Sequence, residues 1–239
     1  MKINFICILL LSITISFSQN DKKISIHYKT KSYIDIEALD AKTKANTFKM
    51  EYAIQLKKNY ESIEYILNIV GNTSKFETIM KMNISNMHKN RLQSRENTHS
   101  FYVDTEQYIE QVDFLGEKLL IIEPSKQFEW ILTTETKNIL GYRCYKANYF
   151  KEGVTNNLKI EAWYAPELPY QFGPKGYHGL PGLILEIIRN EKLAFIADKI
   201  NWDAKVFAIK PTKGRKISQS DFDIMLGNAA NEIKSYNKN

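Results

Sequence analysis

Short strand-like runs follow one another so closely in the second half of the chain that they restrict the fold more than any other feature. Each run is bounded by Gly, Asn or Pro, and no helical pattern lies between neighbouring runs. Strands this close in sequence pair antiparallel through short turns, because a parallel pair needs a crossover of a dozen or more residues. The runs cover residues 107–114, 118–122, 128–133, 143–150, 159–165, 183–188 and 193–200.

The first half of the chain adds further strands and two polar stretches. Apolar and polar residues alternate over 24–28, and we predict strands there, over 51–56 and over 62–70. Residues 35–49 are more polar and are predicted to form an excursion or a short helix. The stretch 83–100 is the most polar in the chain, and we predict an exposed insertion there.

Only the C-terminal segment has a clear helical pattern. Its apolar residues recur at helical spacing, and residues 220–223, Ser-Asp-Phe-Asp, supply an N-cap signal. We therefore expect this helix to pack its apolar stripe against the sheet. The stripe consists of Phe222, Met225, Leu226, Ala229 and Ile233.

The predicted fold is a single α+β domain that is predominantly antiparallel β. Hydrophobic residues make up 44% of the chain, so a sheet of this size cannot leave both faces in water. We expect the sheet to curve into a half-barrel or bowl, with the C-terminal helix packed on it.

The N-terminus has the pattern of an export signal. Lys2 is followed by an apolar run over residues 5–15, which is too short to span a bilayer as a helix. Ser16 and Ser18 are small residues at the positions that a signal peptidase reads, so cleavage is predicted between Ser18 and Gln19. Residues 1–18 are then a signal peptide and 19–239 a single domain, with no transmembrane segment after the signal is removed.

Removal of that signal would leave Cys144 as the remaining cysteine, since Cys7 lies inside the apolar run. An intramolecular disulfide is then excluded, and we expect Cys144 to be a small buried hydrophobic residue. The alternatives are a reactive thiol or an intermolecular bridge. No His or Asp lies close to Cys144 in sequence to activate it.

The net charge of +6 raises the question of nucleic-acid binding. Lys and Arg are interleaved with Asp and Glu along the whole chain, and no run of five or more like charges occurs. This distribution is typical of a solvated surface, so we predict no nucleic-acid partner.

The segment 166–182, called here the Pro-Gly segment, has the most unusual composition. It contains four of the six prolines and four of the ten glycines. Proline restricts the backbone and glycine opens conformations that are closed to other residues, so we expect one ordered, irregular path. Such a path often shapes the wall of a pocket or a docking surface.

A hexapeptide in this region, followed by Leu185 and Glu186, resembles the signature of the GLPGLI family of exported Bacteroidota proteins. The resemblance implies a protein of the periplasm or cell surface with a role near an outer-membrane TonB-dependent receptor or another envelope protein. It implies no particular activity. The hexapeptide is Gly179-Leu180-Pro181-Gly182-Leu183-Ile184, and further matching positions are Trp130, Thr133, Thr136, Lys137, Ile139, Gly141, Tyr142, Cys144, Lys146, Ala147, Ala162, Trp163, Tyr164, Gly173 and Pro174.

Aromatic residues around the Pro-Gly segment are candidates for binding a peptide, a glycan or a receptor loop. Trp163 has an alternative role as a core residue, because it lies in an alternating strand. We expect the side chains of Lys175 and His178 to reach solvent, and residues 179–182 to form a tight structural turn. The binding candidates are Trp163, Tyr164, Tyr170, Lys175, Tyr177 and His178.

Motifs for catalysis are weak, and we predict no catalytic residue, metal site or cofactor. The four histidines are scattered, and neither a His-x-x-x-His nor a Gly-x-Ser-x-Gly motif occurs. Glu135, Glu161 and Glu186 could converge across a sheet as catalytic carboxylates, although ion-paired acids are the alternative. The sequence favours a non-enzymatic envelope protein that binds a ligand or partner, and the alternative is an exported hydrolase acting on peptides or glycans.

Overall fold

The computed structural model describes residues 23–33, 47–79, 99–125, 128–152 and 157–236. These residues form two α-helices, α1 (Thr47–Glu61) and α2 (Gln219–Tyr236), and twelve strands. The strands are β1 (Lys23–Ser32), β2 (Glu64–Val70), β3 (Thr73–Thr78), β4 (Ser100–Val103), β5 (Gln107–Phe114), β6 (Glu117–Pro124), β7 (Ile131–Ile139), β8 (Tyr142–Lys151), β9 (Leu158–Ala165), β10 (Leu183–Arg189), β11 (Leu193–Asn201) and β12 (Arg215–Ile217).

All twelve strands belong to one open, curved sheet. Their order is β12-β6-β5-β4-β3-β2-β1-β11-β10-β9-β8-β7. Every neighbouring pair is antiparallel except β12 and β6, which pair in parallel. The predicted fold class, a curved antiparallel sheet with a C-terminal helix, is confirmed.

Large apolar side chains from alternate positions fill the concave face of the sheet. Tyr65 of β2 stacks on Phe76 of β3, with ring centroids 5.2 Å apart, and Phe195 of β11 meets the Tyr65 ring edge-on at the same distance. Tyr28 of β1 is fully buried and donates its hydroxyl to the carbonyl of Ile184, 2.7 Å away. These aromatic contacts hold the centre of the sheet together.

The segment 202–214 carries the chain from β11 to the far edge strand β12. It contacts β1 where the Ala204 amide donates to the Lys23 carbonyl, and it reaches β5 where Gln111 donates to the Lys213 carbonyl. Between these points the Lys210 ammonium lies 5.7 Å from the centre of the Tyr102 ring. The segment therefore crosses the convex face of the sheet.

Helix α2 packs on the sheet as its apolar spacing predicts. Phe222 is buried against β5 and β6, and its ring meets Phe114 edge-on at 5.7 Å. The cap lies two residues before the predicted one: the Ser218 hydroxyl bonds the Asp221 carboxylate at 2.7 Å, and the Asp221 amide donates back to Ser218. The helix begins at Gln219, directly after this reciprocal pair.

Several sequence predictions need correction. Residues 51–56 lie in α1 and not in a strand, and of this stretch only Ala53 is buried. Six residues of mixed polarity match both periodicities, so the pattern could not separate the two structures. Strands β3, β4 and β12 were not predicted, and β7 begins at Ile131 and not at residue 128.

Other predictions lie outside the described residues. These are the signal peptide, most of the polar stretch 35–49 and nearly all of the insertion 83–100. In the part of the chain that is described, neither helix is long and apolar enough to cross a membrane.

Candidate functional site on the concave face

The Pro-Gly segment lies against the concave face, where it contacts β3, β4 and β10. Two backbone bonds anchor it to the start of β10: the Leu183 amide donates to the Leu168 carbonyl at 2.9 Å, and the Ile184 amide to the Phe172 carbonyl at 3.0 Å. Phe172 also forms an isolated antiparallel bridge with His178. The segment is therefore folded back on itself and fixed to the sheet as an ordered, irregular path.

Lys175 points into the protein, so the prediction that its side chain reaches solvent is wrong. Its side chain is buried, and its ammonium nitrogen lies 5.2–5.3 Å from the ring centroids of Tyr65, Phe101 and Phe195. Negative ring faces attract a cation at this distance, which offsets part of the cost of burying the charge. The path of the Pro-Gly segment sets this direction, and sequence spacing does not reveal it.

His178 is also buried, contrary to the prediction. Its Nδ1 lies 2.8 Å from the carbonyl oxygen of Gly176, and its Nε2 lies 3.3 Å from the hydroxyl of Ser125. A carbonyl only accepts, so Nδ1 carries the hydrogen, and in the neutral ring Nε2 accepts the hydrogen of Ser125. The backbone carbonyl of His178 accepts a bond from the Trp130 indole at 2.9 Å.

The contact between Ser125 and His178 has part of the geometry of a nucleophile and its base. In a catalytic triad an acidic residue orients the imidazole and stabilises its charged form. Here a backbone carbonyl orients the His178 imidazole instead. His178 lines the groove described below and Ser125 does not. The contact joins the end of β6 to the Pro-Gly segment, and we interpret it as structural.

Tyr177 belongs to an aromatic wall beside the segment. Its ring lies 5.1 Å from Phe128 and 6.2 Å from Trp130, and Tyr149 of β8 meets Phe128 edge-on at 5.1 Å. Burial raises the pKa of Tyr177 to about 12. The hydroxyl is therefore neutral at physiological pH, and the wall offers aromatic faces with phenolic edges.

This wall borders a groove of about 750 Å³ on the concave face. Strands β8, β9 and β10 form one side with Tyr149, Lys151, Leu158 and Arg189. The opposite side comes from β5, the turn that follows it, and α2. Its apolar members are Val112, Phe114, Leu115, Phe222, Leu226 and Ala229.

A small polar cluster lies between the two sides of the groove. The Tyr108 hydroxyl lies 3.5 Å from Glu110, and the same carboxylate has an oxygen 3.6 Å from His99 Nδ1. Burial raises the pKa of Tyr108 well above its usual value, and the charge of Glu110 adds to this effect. Such a combination of apolar walls and a few placed polar groups is typical of small-molecule sites.

Trp163 does not line the groove. It lies on the face of β9 opposite to the groove-lining Leu158, where the Lys137 ammonium is 4.2 Å from the centre of its ring and its indole donates to Glu161 at 2.8 Å. Lys137 also pairs with the buried Glu186 at 2.6 Å. Ion pairs of Lys137 and Lys146 cover the Trp163 ring on this surface, which is called here the lysine ladder.

The three acids that the sequence suggested could converge, Glu135, Glu161 and Glu186, all lie in this row of ion pairs, each beside a lysine. Glu135 and Glu161 both pair with Lys146, at 3.2 and 3.0 Å. The pKa of Lys146 is raised, first by its hydrogen bond to Glu161. Each carboxylate has a cationic partner, which is the arrangement expected of structural ion pairs.

The other two binding candidates lie apart from the groove lining. Tyr164 is buried 6.2 Å from Tyr145, and Tyr170 is half-buried in the Pro-Gly segment. The structure therefore brings Lys175, Tyr177 and His178 to the groove. It does not bring Trp163, Tyr164 and Tyr170 there.

Cys144 is a buried residue with no exposed surface. Burial raises the pKa of its thiol to about 11, so it is not an activated nucleophile. Across the described residues, no group of three or more His, Cys, Asp or Glu side chains is placed to hold a metal ion.

Most groove residues were not singled out from the sequence. Lys151 of β8 and Arg189 of β10 lie at the same end of two strands that flank β9, since Lys151 pairs with Leu158 and Arg189 with Ile160. The predicted strands 143–150, 159–165 and 183–188 were enough to indicate this arrangement. Antiparallel pairing places the end of the first and third of these strands beside the start of the second. The contribution of Phe128 and Tyr108 depends on how the Pro-Gly segment folds, which sequence spacing does not specify.

Comparison with known proteins supplies a family and a fold relative. Residues 69–224 match the family described as N-glycanase peptide, N-terminal domain, which is well over half of the chain. Two solved structures of PNGF-II, in space groups P21 and C2, are similar at 16% and 14% identity, with TM-scores of 0.53 and 0.54. Both alignments cover 85% of this chain but only 33% and 32% of PNGF-II, so the chain spans about a third of that protein. No curated protein matches the sequence.

Proposed function

The chain belongs to the family described as N-glycanase peptide, N-terminal domain, and from this premise we propose that it is a non-enzymatic protein of the cell envelope that binds a ligand or partner. The groove on the concave face carries this proposal. It has about 750 Å³ of space, aromatic and aliphatic walls, and a few polar groups. Sites that enclose small ligands have this composition.

The polar groups of the groove favour binding over catalysis. Glu110 is engaged with Tyr108 and lies near His99, while His178 is held by Gly176 and Ser125. A backbone carbonyl holds Nδ1 of His178 where a catalytic base of this type has an acidic partner, and fixed polar groups of this kind suit the orientation of a ligand. A bound molecule would be recognised mainly by its shape and apolar surface.

The proposed location is the periplasm or the cell surface. The apolar run over residues 5–15 and the small residues before Gln19 support export. The resemblance of residues 179–184 to the GLPGLI signature supports the same location. We include in the proposal a partner among outer-membrane proteins, with a TonB-dependent receptor as the first candidate.

A second candidate function is hydrolysis of a peptide or glycan, which the family description and the likeness to PNGF-II favour. The family match concerns an N-terminal domain, and this chain corresponds to about a third of PNGF-II. An activity of the whole of PNGF-II therefore does not transfer to this chain by similarity alone. Turnover of a glycopeptide by the purified protein would favour this candidate.

Native mass spectrometry of the protein extracted from the envelope of cells that express it tests the proposal. We expect wild-type protein to retain a non-covalent ligand. An Ala229→Trp variant, in which an indole fills the groove from α2, should lose that ligand. Ile224→Trp is the matched control, because Ile224 is 60% exposed on the same helix.

Two outcomes would contradict the proposal. The first is that wild-type protein carries no ligand and recovers no envelope partner in a pull-down. The second is that the protein cleaves a glycopeptide and that Ala229→Trp abolishes the cleavage, which would make the groove an active site.

A further inference from the structure

The charges of the groove are arranged unevenly, and this arrangement points to a chemical class of ligand. Among the described residues, neither Lys151 nor Arg189 has a carboxylate within ion-pair distance. Both are exposed, both line the groove, and both lie at one end of strands β8 to β10. The groove therefore has a cationic rim with unused capacity to bind an anion.

The acids that line the groove have hydrogen-bond partners within the protein. Asp113 accepts the Gly116 amide at 3.0 Å, and Glu123 accepts the Gln219 amide at 2.8 Å where α2 begins. Glu110 is engaged with Tyr108. The acids of the groove therefore bond to the protein's own backbone and side chains, whereas Lys151 and Arg189 are exposed and form no ion pair among the described residues.

The opposite side of the groove has a continuous apolar part beside these acids. Phe222 and Leu226 of α2 pack against Val112 and Phe114 of β5, and together they form this part of the groove lining. A hydrocarbon chain makes no hydrogen-bond demand on such a wall, and its burial is favourable in proportion to its length. A sugar would leave hydroxyl groups without partners against the same surface.

We propose that the groove binds an anionic amphiphile, a single hydrocarbon chain that carries a carboxylate or phosphate head. The head lies between Lys151 and Arg189, and the chain extends toward α2. The cavity volume of about 750 Å³ far exceeds the space that an inorganic anion occupies, which is why the ligand is an amphiphile and not a free anion. This inference rests on the proposed function, since it names the class of ligand that the groove binds.

Isothermal titration calorimetry with defined probes tests the contribution of the ligand's charged head separately from that of its hydrocarbon chain. Dodecanoate and dodecyl phosphate, used below their micelle concentrations, should bind with one site per protein. Inorganic phosphate should show no binding at millimolar concentration, and neutral 1-dodecanol should bind at least tenfold more weakly than dodecanoate. Across a series of shorter carboxylates, affinity should rise up to about fourfold with each added methylene.

Matched variants locate the site. Arg189→Gln and Lys151→Gln should each weaken dodecanoate binding about tenfold without changing the binding of 1-dodecanol. Lys205→Gln is the control, because Lys205 is an exposed cation on the convex segment 202–214. Thermal melts should show that all three variants remain folded.

Each part of the inference has an outcome that overturns it. Equal affinity for dodecanoate and 1-dodecanol would remove the role of the cations, and tight binding of inorganic phosphate would replace the amphiphile with a free anion. If no amphiphile binds while the native ligand is still lost in Ala229→Trp, this inference fails and the proposed function stands. If neither amphiphile nor native ligand binds, both fail.

Discussion

Gly182 is the position where the structure makes its sharpest energetic prediction. A Cβ atom on Gly182 would lie 2.3 Å from the carbonyl oxygen of Ala165 and 2.8 Å from the nitrogen of Pro166. Ala165 pairs with Leu183 where β9 and β10 meet, so its carbonyl cannot retreat without opening that pair. Overpacking against movable side chains costs about 1–3 kcal/mol, and against this backbone we expect Gly182→Ala to cost about 3 kcal/mol or more.

Differential scanning calorimetry measures this cost. For a chain of this size 1 kcal/mol corresponds to about 2–4 °C, so Gly182→Ala should lower Tm by about 6–12 °C. Gly179→Ala is the matched control, because Gly179 has φ +88° but no atom within 4 Å of its added Cβ. Backbone strain alone should cost Gly179→Ala about 1–2 kcal/mol.

We expect a clear order of the two variants, with Gly182→Ala the less stable. A shift in Gly182→Ala no larger than that in Gly179→Ala would refute it. That result would mean that the start of β10 moves away from Ala165 at little cost.

Three further predictions concern single groups. Burial raises the pKa of Tyr177 to about 12, so the contribution of its neutral hydroxyl to stability is complete below pH 10 and is lost as the pH rises through 12. Between pH 9 and 11.5 the Tm should therefore fall less steeply in Tyr177→Phe than in the wild-type protein. The Cys144 thiol, with a pKa of about 11, should not react with a disulfide reagent at pH 8 until denaturant is added, and rapid stoichiometric reaction of the folded protein would contradict its burial. Ser218→Ala should remove the cap of α2 and lower the free energy of unfolding by about 1 kcal/mol in urea titrations, and an unchanged midpoint would show that the cap is dispensable.

The fold was predictable from sequence where turn residues bound a strand-length run rich in apolar and aromatic residues. Residues 107–114 and 193–200 lie in β5 and β11, although both strands bury residues on both faces, such as Ile109 and Val112 of β5. Helix α1 was missed because it is largely exposed, with Tyr52 63% and Ile54 46% exposed, so no buried stripe marks it. Strand β12 has three residues, too few to show a period.

The site was only partly predictable, because its residues meet through long-range folding. Lys175 and His178 belong to the groove lining, yet their direction depends on how the Pro-Gly segment folds onto the sheet. Trp163 was an equally plausible binding residue by type, but strand alternation places it on the opposite face of β9. Lys151 and Arg189 come to the same end of the sheet, on either side of β9, only through the pairing of β8, β9 and β10.

A crystal structure of the protein loaded with its extracted ligand tests the central claim most directly. We expect ligand density in the concave groove, between Tyr149 and Phe222, with the polar end of the ligand near Arg189. Density on the convex face, at the lysine ladder over Trp163 for example, would contradict the claim that the groove is the binding site.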